Sequence, residues 1–425
     1  MSEKKYIESA EIICVGTELL MGHTLNTNSQ FLAKELVSLG IPSYRQIVVG
    51  DNDERLAKQI QESAMRADLI ILTGGLGPTT DDITMSVAAK VAGKELVFDE
   101  ESYKNMSAYF RRLCRNMPKS NKKQAMLPEN ATIFANHNGT APGAMFTTSA
   151  PTDEDPDRIV HLILLPGPPS ETTLMFNSEV RPVLENMSEY TFTTKYVHLF
   201  EIGESEAAER IGDLIDNQTN PTIAPYAAEG ECMFRITQRT LQGEKEEDLI
   251  SPIIATMQER FGQNIYEIGT RSMKQVAFDL LLKNGKTVSF AESCTAGMVS
   301  SEFVDVPGAS QVFMGAIVSY GNSIKTNVLG VSEDMLGSLG AVSRECAQEM
   351  AEGARKLLKT DIAISITGIA GPTGETEKKP VGLVYLAIAD ENGTEVKEIH
   401  LSGNRMRIRR VAVLHAFNLI RKRLS

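Results

Sequence analysis

Residues 67–82 read ADLIILTGGLGPTTDD, in which a strongly apolar run ends in a glycine-rich loop that carries two adjacent acids. A short apolar run closed by glycines is typical of a strand buried on both faces of a parallel sheet. Strand-like runs at Ala10–Gly16 and Ser43–Gly50 alternate with helical patterns at Ser29–Leu39 and Arg55–Ala67. This strand–helix–strand order predicts right-handed crossovers and a largely parallel sheet.

The chain is long enough for two or three domains, because it has 425 residues. Its 43 basic and 55 acidic side chains give a net charge of −12, which argues against broad nucleic-acid binding. The five cysteines show no CxxC spacing, so the sequence predicts neither a disulfide framework nor a zinc site. No signal peptide or membrane-spanning run is evident, and we expect a cytoplasmic protein that does not bind membranes.

A second alternating α/β pattern begins at Met273, after a segment of different character that starts near Tyr190. We therefore predict an α/β protein with two three-layer α/β domains at the chain ends, joined by a small α+β domain. The expected boundaries are 1–187, 188–262, a linker at 263–272, and 273–425. The acid- and proline-rich stretch Thr147–Arg158 lies between two apolar runs and predicts a long hairpin loop.

The stretch AESCTAG, residues 291–297, predicts a strand that passes into a helix at Ala296–Gly297. Ser293 would then lie at a helix N-terminus, where free backbone amides can bind a developing oxyanion. On this local pattern alone, an N-terminal cap is the better interpretation of the serine or of Thr295. Cys294 is a rival nucleophile, and the sequence alone does not decide which side chain faces a pocket.

A nucleophilic serine needs a base, and the sequence offers two kinds. His400 and His415 are the histidines in the C-terminal half, and neither is flanked by a recognisable triad partner. Lys325, in SYGNSIKTNVLG, follows a strand-like run. A lysine in a partly desolvated pocket has a lowered pKa and can accept a proton, although an isolated lysine is more often solvated.

Two further features of the C-terminal half fit a phosphate. SITGIAGPTG, residues 365–374, is a glycine-rich loop after an apolar strand, and its alternative interpretation is a long turn. Arg405 and Arg409 are four residues apart near the start of the last helix. They can clamp a phosphate through two N–H groups each, or form an ordinary solvated face.

The N-terminal half combines glycines at strand ends with acids a few residues later. GTELLMG, residues 16–22, contains Glu18, and GGLGPTTDD contains Asp81 and Asp82. This pattern suits a phosphate held against a hard divalent cation, and the metal ligands we predict are the two aspartates. The alternative is that the adjacent aspartates only favour the dipole of a following helix.

The order GTELLMG, NTNS, GGLGPTTDD, GTAPG, LPGPPSE, IGES, NPTIAPYA, ESCTAG, YGNSIK and TGIAGPTG closely resembles the CinA family of competence- and damage-inducible proteins. The resemblance covers almost the whole chain. It implies a molybdopterin-binding-like N-terminal domain, a KH-like middle domain and a C-terminal nicotinamide-nucleotide amidohydrolase domain.

The family resemblance implies two activities. The C-terminal domain would convert nicotinamide mononucleotide to nicotinate mononucleotide and ammonia, with Ser293 and Lys325 as the catalytic pair and without a cofactor. Its substrate site would comprise Thr295, Ala296 and Gly297, whose backbone amides would hold the oxyanion, together with Tyr320, Asn322, Thr367, Gly368, Ala370, Gly371, Arg405 and Arg409. The N-terminal domain would hydrolyse ADP-ribose with a divalent metal (Mg, Mn or Co), at a site comprising Gly16, Thr17, Glu18, Asn28, Gly74, Gly75, Gly77, Pro78 and Thr79.

Some features depart from the family pattern, and other functions stay open. Asn404 stands where an acid is expected beside Arg405, and the middle domain lacks an evident GxxG loop, which argues against RNA binding. The alternatives are a chain whose main activity is the N-terminal pyrophosphatase, or a non-catalytic pterin-binding or competence accessory protein. The expected partners are small-molecule nucleotides and a second copy of the chain in a homodimer.

Overall fold

A computed structural model of the chain describes residues 6–153, 155–228, 230–245 and 247–425. Glu154, which belongs to the predicted hairpin loop, lies outside these ranges. The chain divides into two compact units, one of residues up to Thr193 with Gln238–Glu247, the other of Thr194–Thr237 with Asp248–Ser425. Across the described ranges, every helix is either too short or too polar to cross a lipid bilayer.

The first unit contains a six-stranded sheet, a two-stranded sheet and helices. The strands are β1 (Ala10–Val15), β2 (Ser43–Val49), β3 (Leu69–Thr73), β4 (Leu96–Phe98), β5 (Met126–Pro128), β6 (Thr132–Phe134), β7 (Gly143–Ser149) and β8 (Ile159–Leu165). The helices are α1 (Thr17–Leu20), α2 (Thr27–Ser38), α3 (Asp53–Ala64), α4 (Thr84–Val91), α5 (Glu100–Arg112), α6 (Pro169–Met175) and α7 (Arg181–Glu185). A 3₁₀ segment spans Lys119–Ala125, and a π-helical turn spans Phe176–Val180.

The six-stranded sheet has the order β2-β1-β3-β8-β7-β6, and β2, β1, β3 and β8 run parallel. Successive residues of β1 are buried on opposite faces of this sheet. Ile12 packs in a core with Leu36 of α2, whereas Ile13 packs in a second core with Leu56 and Ile60 of α3. Helices therefore cover both faces, which gives three layers and explains why the central strands are apolar throughout.

The predicted hairpin loop is confirmed. The strand β7 ends at Ser149 and β8 begins at Ile159, and the two strands pair antiparallel. The acid-rich stretch therefore joins two neighbouring strands of one sheet.

A four-stranded sheet occupies the middle of the chain, in the order β10-β11-β9-β12. Its strands are β9 (Tyr190–Phe200), β10 (Thr222–Ala228), β11 (Glu231–Leu241) and β12 (Ile265–Ile268), and the neighbouring helices are α8 (Glu204–Arg210), α9 (Gly212–Asp216) and α10 (Ile250–Phe261). The prediction of a linker at 263–272 was wrong in part, because β12 pairs antiparallel with β9. Four residues with polar neighbours carry too little periodicity to identify such a strand.

The C-terminal part contains a five-stranded sheet and six helices. The strands are β13 (Val288–Glu292), β14 (Phe313–Val318), β15 (Ile362–Gly368), β16 (Leu383–Asp390) and β17 (Gly393–His400). The helices are α11 (Met273–Lys283), α12 (Met298–Val304), α13 (Asn322–Leu329), α14 (Glu333–Ser338), α15 (Arg344–Leu358) and α16 (Arg405–Leu424). The sheet order is β14-β13-β15-β16-β17, with the first three strands parallel and the last two antiparallel to their neighbours.

Helices also cover both faces of this second large sheet. Phe290 of β13 packs with Leu281 of α11 and Phe417 of α16, while Ala291 packs with Met350 of α15. The predicted fold class, with a three-layer α/β arrangement at each end of the chain and a small sheet between them in sequence, is therefore confirmed.

Candidate active sites

Ser293 lies directly after the buried strand β13, and its backbone N–H donates to the Ile366 carbonyl at 2.9 Å. The prediction that the helix begins at Ala296–Gly297 was wrong. Both of these residues have left-handed backbones, with φ of 49° and 91°, and α12 begins only at Met298. Ser293 therefore lies in a five-residue turn between strand and helix, and it is not an N-terminal cap.

Glu292 holds this turn in place. Its side chain is fully buried, and its carboxylate accepts hydrogen bonds from the N–H groups of Gly297 at 2.8 Å and Val299 at 3.1 Å. The backbone N–H and hydroxyl of Ser300 donate to the same carboxylate at 2.9 and 2.6 Å. These four hydrogen bonds compensate the carboxylate for the loss of water on burial. Because three of the donors are backbone N–H groups, the same bonds fix the path of the turn that carries Ser293.

The predicted oxyanion donors need correction. The N–H of Gly297 is bound to Glu292, and the N–H of Ala296 donates to the Ser293 carbonyl at 3.1 Å. Within the described residues, no carbonyl accepts from the N–H groups of Cys294 and Thr295, and the Cys294 N–H interacts only with its own sulfur. Unpaired amides one and two residues after the nucleophile are suitable donors to a developing oxyanion, so the donor pair moves back along the turn.

Lys325 reaches Ser293 from α13. Its side chain is only 1% exposed, and its Nζ atom lies 3.2 Å from Ser293 Oγ. The same Nζ donates to the carbonyls of Ser319 at 2.6 Å and Tyr320 at 3.2 Å. Burial lowers the pKa of the Lys325 ammonium from its ordinary value of 10.5. A neutral amine here would give its two N–H groups to the carbonyls and keep its lone pair for the serine proton.

The rival nucleophile and bases do not reach this pair. Cys294 is buried in the core beside β13, and burial raises the pKa of its thiol to about 11, so the thiol stays protonated at neutral pH. His400 Nε2 lies 2.9 Å from Glu398, and His415 Nδ1 lies 3.3 Å from Glu201. Among these candidates, the hydrogen-bonding distance between Ser293 and Lys325 favours the serine with the lysine.

The two arginines join separate segments around Ser293. Arg405 donates to the Gly371 carbonyl at 2.6 Å and to the Tyr320 hydroxyl at 3.3 Å. Arg409 donates through Nη2 to the Thr295 carbonyl at 2.7 Å, and its buried Nε has no partner among the described residues. Both guanidinium groups thus lie near Ser293, and each is hydrogen-bonded to a backbone carbonyl of a neighbouring loop.

The structure does not bring every predicted substrate residue to the same surface. The Thr367 hydroxyl donates to the Ala341 carbonyl at 2.7 Å, and Ala370 is buried in the core. A side chain at Gly368 would meet the Leu383 carbonyl at 2.7 Å, so glycine is needed there for packing. Asn322 is exposed at the start of α13. Thr367 and Ala370 are therefore buried, whereas Asn322 is exposed.

In the first unit, a cleft of about 270 Å³ opens near the carboxyl ends of β1 and β3. It includes seven of the predicted residues, namely Gly16, Glu18, Asn28, Gly74, Gly75, Asp81 and Asp82. The other predicted residues do not line it: Thr17 is the first residue of α1, and Gly77, Pro78 and Thr79 belong to the loop after β3. The polar floor is held by Asn28, whose amide donates to the Thr73 hydroxyl at 2.9 Å and the Gly167 carbonyl at 2.7 Å.

The loop Leu164–Glu171, which follows another strand-like run and was expected to line the same cleft, contributes Gly167 and Pro169, whereas the sequence interpretation missed Asp51 and Thr73. Asp51 follows Gly50 at the end of β2, so the same pattern of strand, glycine and acid was available to find it. The Asp51 carboxylate accepts from both the N–H and the hydroxyl of Thr17, each at 2.9 Å. The thiol-bearing Cys14, at the end of β1, also lines the cleft.

The predicted metal ligands fit a divalent cation only in part. The described residues contain no group of three or more His, Cys, Asp or Glu side chains placed to hold an ion. The Asp82 carboxylate already accepts from the N–H of Thr79 at 2.8 Å and its hydroxyl at 2.6 Å. Asp81 and Asp82 would therefore supply one or two ligands, and substrate phosphates and water the rest, as is usual for Mg²⁺.

Three family models match the chain in succession. The "Probable molybdopterin binding domain" matches residues 11–186, the "Damage-inducible protein CinA KH domain" matches residues 194–266, and the "CinA C-terminal domain" matches residues 270–424. A CinA superfamily protein from Enterobacter cloacae, solved as a crystal structure, is 28% identical with a TM-score of 0.36. The match covers 38% of this chain and 98% of that chain.

Similar sequences extend over nearly the full length. A CinA-like protein of Kosmotoga olearia is 46% identical over 415 residues, covering 98% of each chain. A CinA-like protein of Dictyoglomus turgidum is 45% identical over 414 residues, covering 97% of this chain and 98% of that protein. The chain therefore belongs to the CinA family.

Proposed function

We propose that this chain hydrolyses the carboxamide of nicotinamide mononucleotide to give nicotinate mononucleotide and ammonia, with Ser293 and Lys325 as the catalytic pair. The observation that carries the proposal is the 3.2 Å approach of Lys325 Nζ to Ser293 Oγ, in a site where the lysine is almost fully buried. A buried lysine whose pKa is lowered is a suitable general base at a serine.

In the acylation step, Ser293 Oγ bonds to the amide carbon while its proton passes to Lys325 Nζ. The carbonyl oxygen becomes an anion that the N–H groups of Cys294 and Thr295 can stabilise. The carbon–nitrogen bond then breaks as Lys325 returns the proton to the leaving nitrogen, and ammonia departs. This leaves an ester between Ser293 and the nicotinoyl group.

In the deacylation step, a water molecule gives a proton to Lys325 and bonds to the ester carbon. The lysine then protonates Ser293 Oγ as the ester bond breaks, which frees the carboxylic acid and restores the serine. The same amides can hold the second oxyanion. No cofactor enters either step.

The basic side chains beside the pair favour an anionic nucleotide over a simple amide. Arg405 and Arg409 lie on one face of the first turns of α16 and reach the loops that carry Gly371 and Thr295. The buried Nε of Arg409 is without a partner among the described residues, so it retains a hydrogen bond to offer. A 5′-phosphate is the group that such donors bind best.

The test is ammonia release from nicotinamide mononucleotide by the full-length chain. We expect Ser293→Ala to abolish turnover and Lys325→Ala to lower kcat by about 10²- to 10⁴-fold, the usual contribution of a general base. The matched control is Lys356→Ala, which removes an exposed lysine of α15 and should leave kcat unchanged. Undiminished ammonia release by Ser293→Ala would remove the proposed mechanism.

A second activity is supported by the cleft of the first unit, which is lined by four carboxylates and several glycines near the ends of parallel strands. We propose that it hydrolyses the diphosphate of ADP-ribose with a divalent cation such as Mg²⁺, Mn²⁺ or Co²⁺. We expect EDTA and Asp81→Ala each to stop this hydrolysis without changing ammonia release. Hydrolysis that survives both would contradict the proposal.

A further inference from the structure

A second groove of about 280 Å³ lies in the first unit, between α5 and the loop at residues 135–137. We call it the α5 groove. Asn105, Tyr109 and Arg112 line one wall, and they are spaced four and three residues apart, so they share one face of the helix. Asn136 and His137 form part of the other wall. Its volume is slightly below the usual range for ligand pockets, which suits a small ligand.

Hydrogen bonds and stacking hold the two walls together. The Tyr109 hydroxyl donates to the Asn138 carbonyl at 3.4 Å, and Arg112 Nη2 approaches the His137 carbonyl at 3.5 Å. The Arg112 guanidinium also lies over the Tyr109 ring, 5.2 Å from its centre. These contacts restrain the arginine beside the groove before any ligand arrives, which lowers the entropy cost of binding.

The charge of the α5 groove is opposite to that of the main cleft. Arg112 has no carboxylate partner among the described residues, and the two acids that adjoin the groove, Glu171 and Glu179, are bound to Asn136 at 2.7 Å and His137 at 3.3 Å. The main cleft is lined by Glu18, Asp51, Asp81 and Asp82 and by no basic side chain. An anion would need a cation to bind in the main cleft, whereas Arg112 can bind one directly.

The two clefts lie at the same edge of the six-stranded sheet. Asn136 follows β6, which runs parallel to β8, because each pairs antiparallel with β7. The Asn136 amide donates to Glu171 at 2.7 Å, and Glu171 is two residues after Pro169, which lines the main cleft. Ligands of open α/β sheets bind at this carboxyl edge.

We infer that the α5 groove binds a phosphate monoester of a small sugar or nucleoside, through the guanidinium of Arg112 and without a metal ion. Arg112 presents parallel N–H groups that match two phosphate oxygens. The Asn105 amide adds a polar group for the remaining oxygens or for sugar hydroxyls, while His137 Nε2 is held by Glu179 at 3.3 Å. The inference does not depend on the proposed ammonia-releasing activity, since it concerns the other unit.

The test is isothermal titration calorimetry of the full-length chain with ribose 5-phosphate in the presence of EDTA. We expect binding by the wild type and a loss of at least about tenfold in affinity for Arg112→Gln, which removes the charge and the paired donors. The matched control is Arg111→Gln, an equal loss of charge at the adjacent exposed residue of α5, outside the groove. Its affinity should stay within about twofold of the wild type.

Two further measurements distinguish specific binding of a phosphate by the guanidinium from general electrostatic attraction. Arg112→Lys keeps the charge but loses the paired N–H geometry, so we expect intermediate affinity. Ribose without the phosphate should not bind. The inference is overturned if the wild type gives no binding heat at millimolar ribose 5-phosphate, or if Arg111→Gln and Arg112→Gln weaken binding equally. Thermal melting of each variant checks that the fold is retained.

Discussion

Lys325 is the residue on which the chemistry of the C-terminal site depends most. Its position in α13 brings Nζ to Ser293 Oγ, and the carbonyls of Ser319 and Tyr320 take up the other hydrogen bonds. Hydrogen bonds to these carbonyls also stabilise the charged ammonium, which would raise its pKa. Burial is the larger influence, so the pKa of Lys325 is lowered. The amine is therefore closer to its basic form at neutral pH than a solvated lysine would be.

The pH profile follows from this shift. The neutral amine is the active base, so kcat/KM should rise with pH as Lys325 loses its proton, with a midpoint below the ordinary value of 10.5. Steady-state ammonia release from about pH 6 to about pH 11 measures the profile, and Lys325→Ala should lack this rising limb. A midpoint at or above 10.5 would show that the lysine is not the base.

Glu292 is expected to position Ser293 through the turn. The substitution Glu292→Gln replaces one carboxylate oxygen by an NH₂ group, which cannot accept hydrogen bonds from backbone N–H groups. Buried donors are then left unpaired, and we expect the free energy of unfolding to fall by about 1–3 kcal/mol. We also expect kcat to fall more than KM changes, because the nucleophile and the oxyanion donors move together.

The control for this variant is Glu209→Gln, an exposed glutamate of α8 without a described partner. Urea unfolding and steady-state kinetics should place it within about 0.5 kcal/mol of the wild type. Equal kinetics for Glu292→Gln and the wild type would remove the positioning role even if stability falls.

At this scale, the sequence identifies the chemistry but not its supports. Residue types and order point to Ser293 and Lys325, because a serine after a strand and a lysine after the next one suggest a nucleophile and a base. The acceptors of Lys325 are backbone carbonyls, which are present in every residue and leave no mark in the sequence. Glu292 belongs to the motif AESCTAG, but its role depends on the left-handed backbone of Ala296 and Gly297, which the sequence does not predict.

At the scale of elements, glycines at strand ends shape the cleft of the first unit. Gly74 has φ of 100°, and a side chain there would lie 2.2 Å from the Val15 carbonyl oxygen. Gly93 also has a positive φ, of 65°, but a side chain there would meet no atom within 4 Å. Substitution of Gly93 therefore tests backbone strain alone, whereas substitution of Gly74 tests backbone strain together with steric overlap.

We expect Gly93→Ala to cost about 1–2 kcal/mol of the free energy of unfolding, from the left-handed backbone alone. Gly74→Ala should cost more, because the strand end must also move away from β1. Chemical denaturation of both full-length variants measures the difference. Equal losses would mean that the close approach of Gly74 to Val15 does not constrain the cleft.

Long periodic elements were predictable, and short irregular ones were not. The helical pattern at Ser29–Leu39 overlaps α2 almost completely, and the apolar run at Leu69–Thr73 forms β3. The short strand β12 and the delayed start of α12 were missed. Their conformations are set by pairing with β9 and by the carboxylate of Glu292, which are interactions with residues that local patterns do not reveal.

At the scale of the whole molecule, a charged cluster within the second unit joins the middle sheet to the C-terminal part. Glu201, after β9, contacts Lys397 of β17, and it lies 2.5 Å from Lys422 and 3.3 Å from His415 of α16. The hydrogen bond with His415, followed by those with the two lysines, holds the pKa of Glu201 well below its ordinary value. The carboxylate therefore contributes stability at neutral pH that is lost only as the solution becomes strongly acidic.

Glu201→Gln tests this connection. The variant leaves two lysines without their shared anion, and we expect the free energy of unfolding to fall by about 2 kcal/mol at pH 7. The control is Glu206→Gln, which breaks an exposed pair with Arg210 within one helix and should change stability by less than about 0.5 kcal/mol. Differential scanning calorimetry at several salt concentrations distinguishes the two. If the two variants lose the same free energy of unfolding, the Glu201 cluster contributes no more to stability than an exposed surface ion pair.

The most direct test of the catalytic pair is to trap the intermediate. Full-length protein is mixed with nicotinamide mononucleotide, quenched with acid within one turnover, digested, and sequenced by mass spectrometry. We predict a nicotinate-mononucleotide ester on Ser293, absent from Ser293→Ala and formed slowly in Lys325→Ala. An adduct on Cys294, or steady ammonia release by Ser293→Ala with no adduct on any residue, would contradict the assignment.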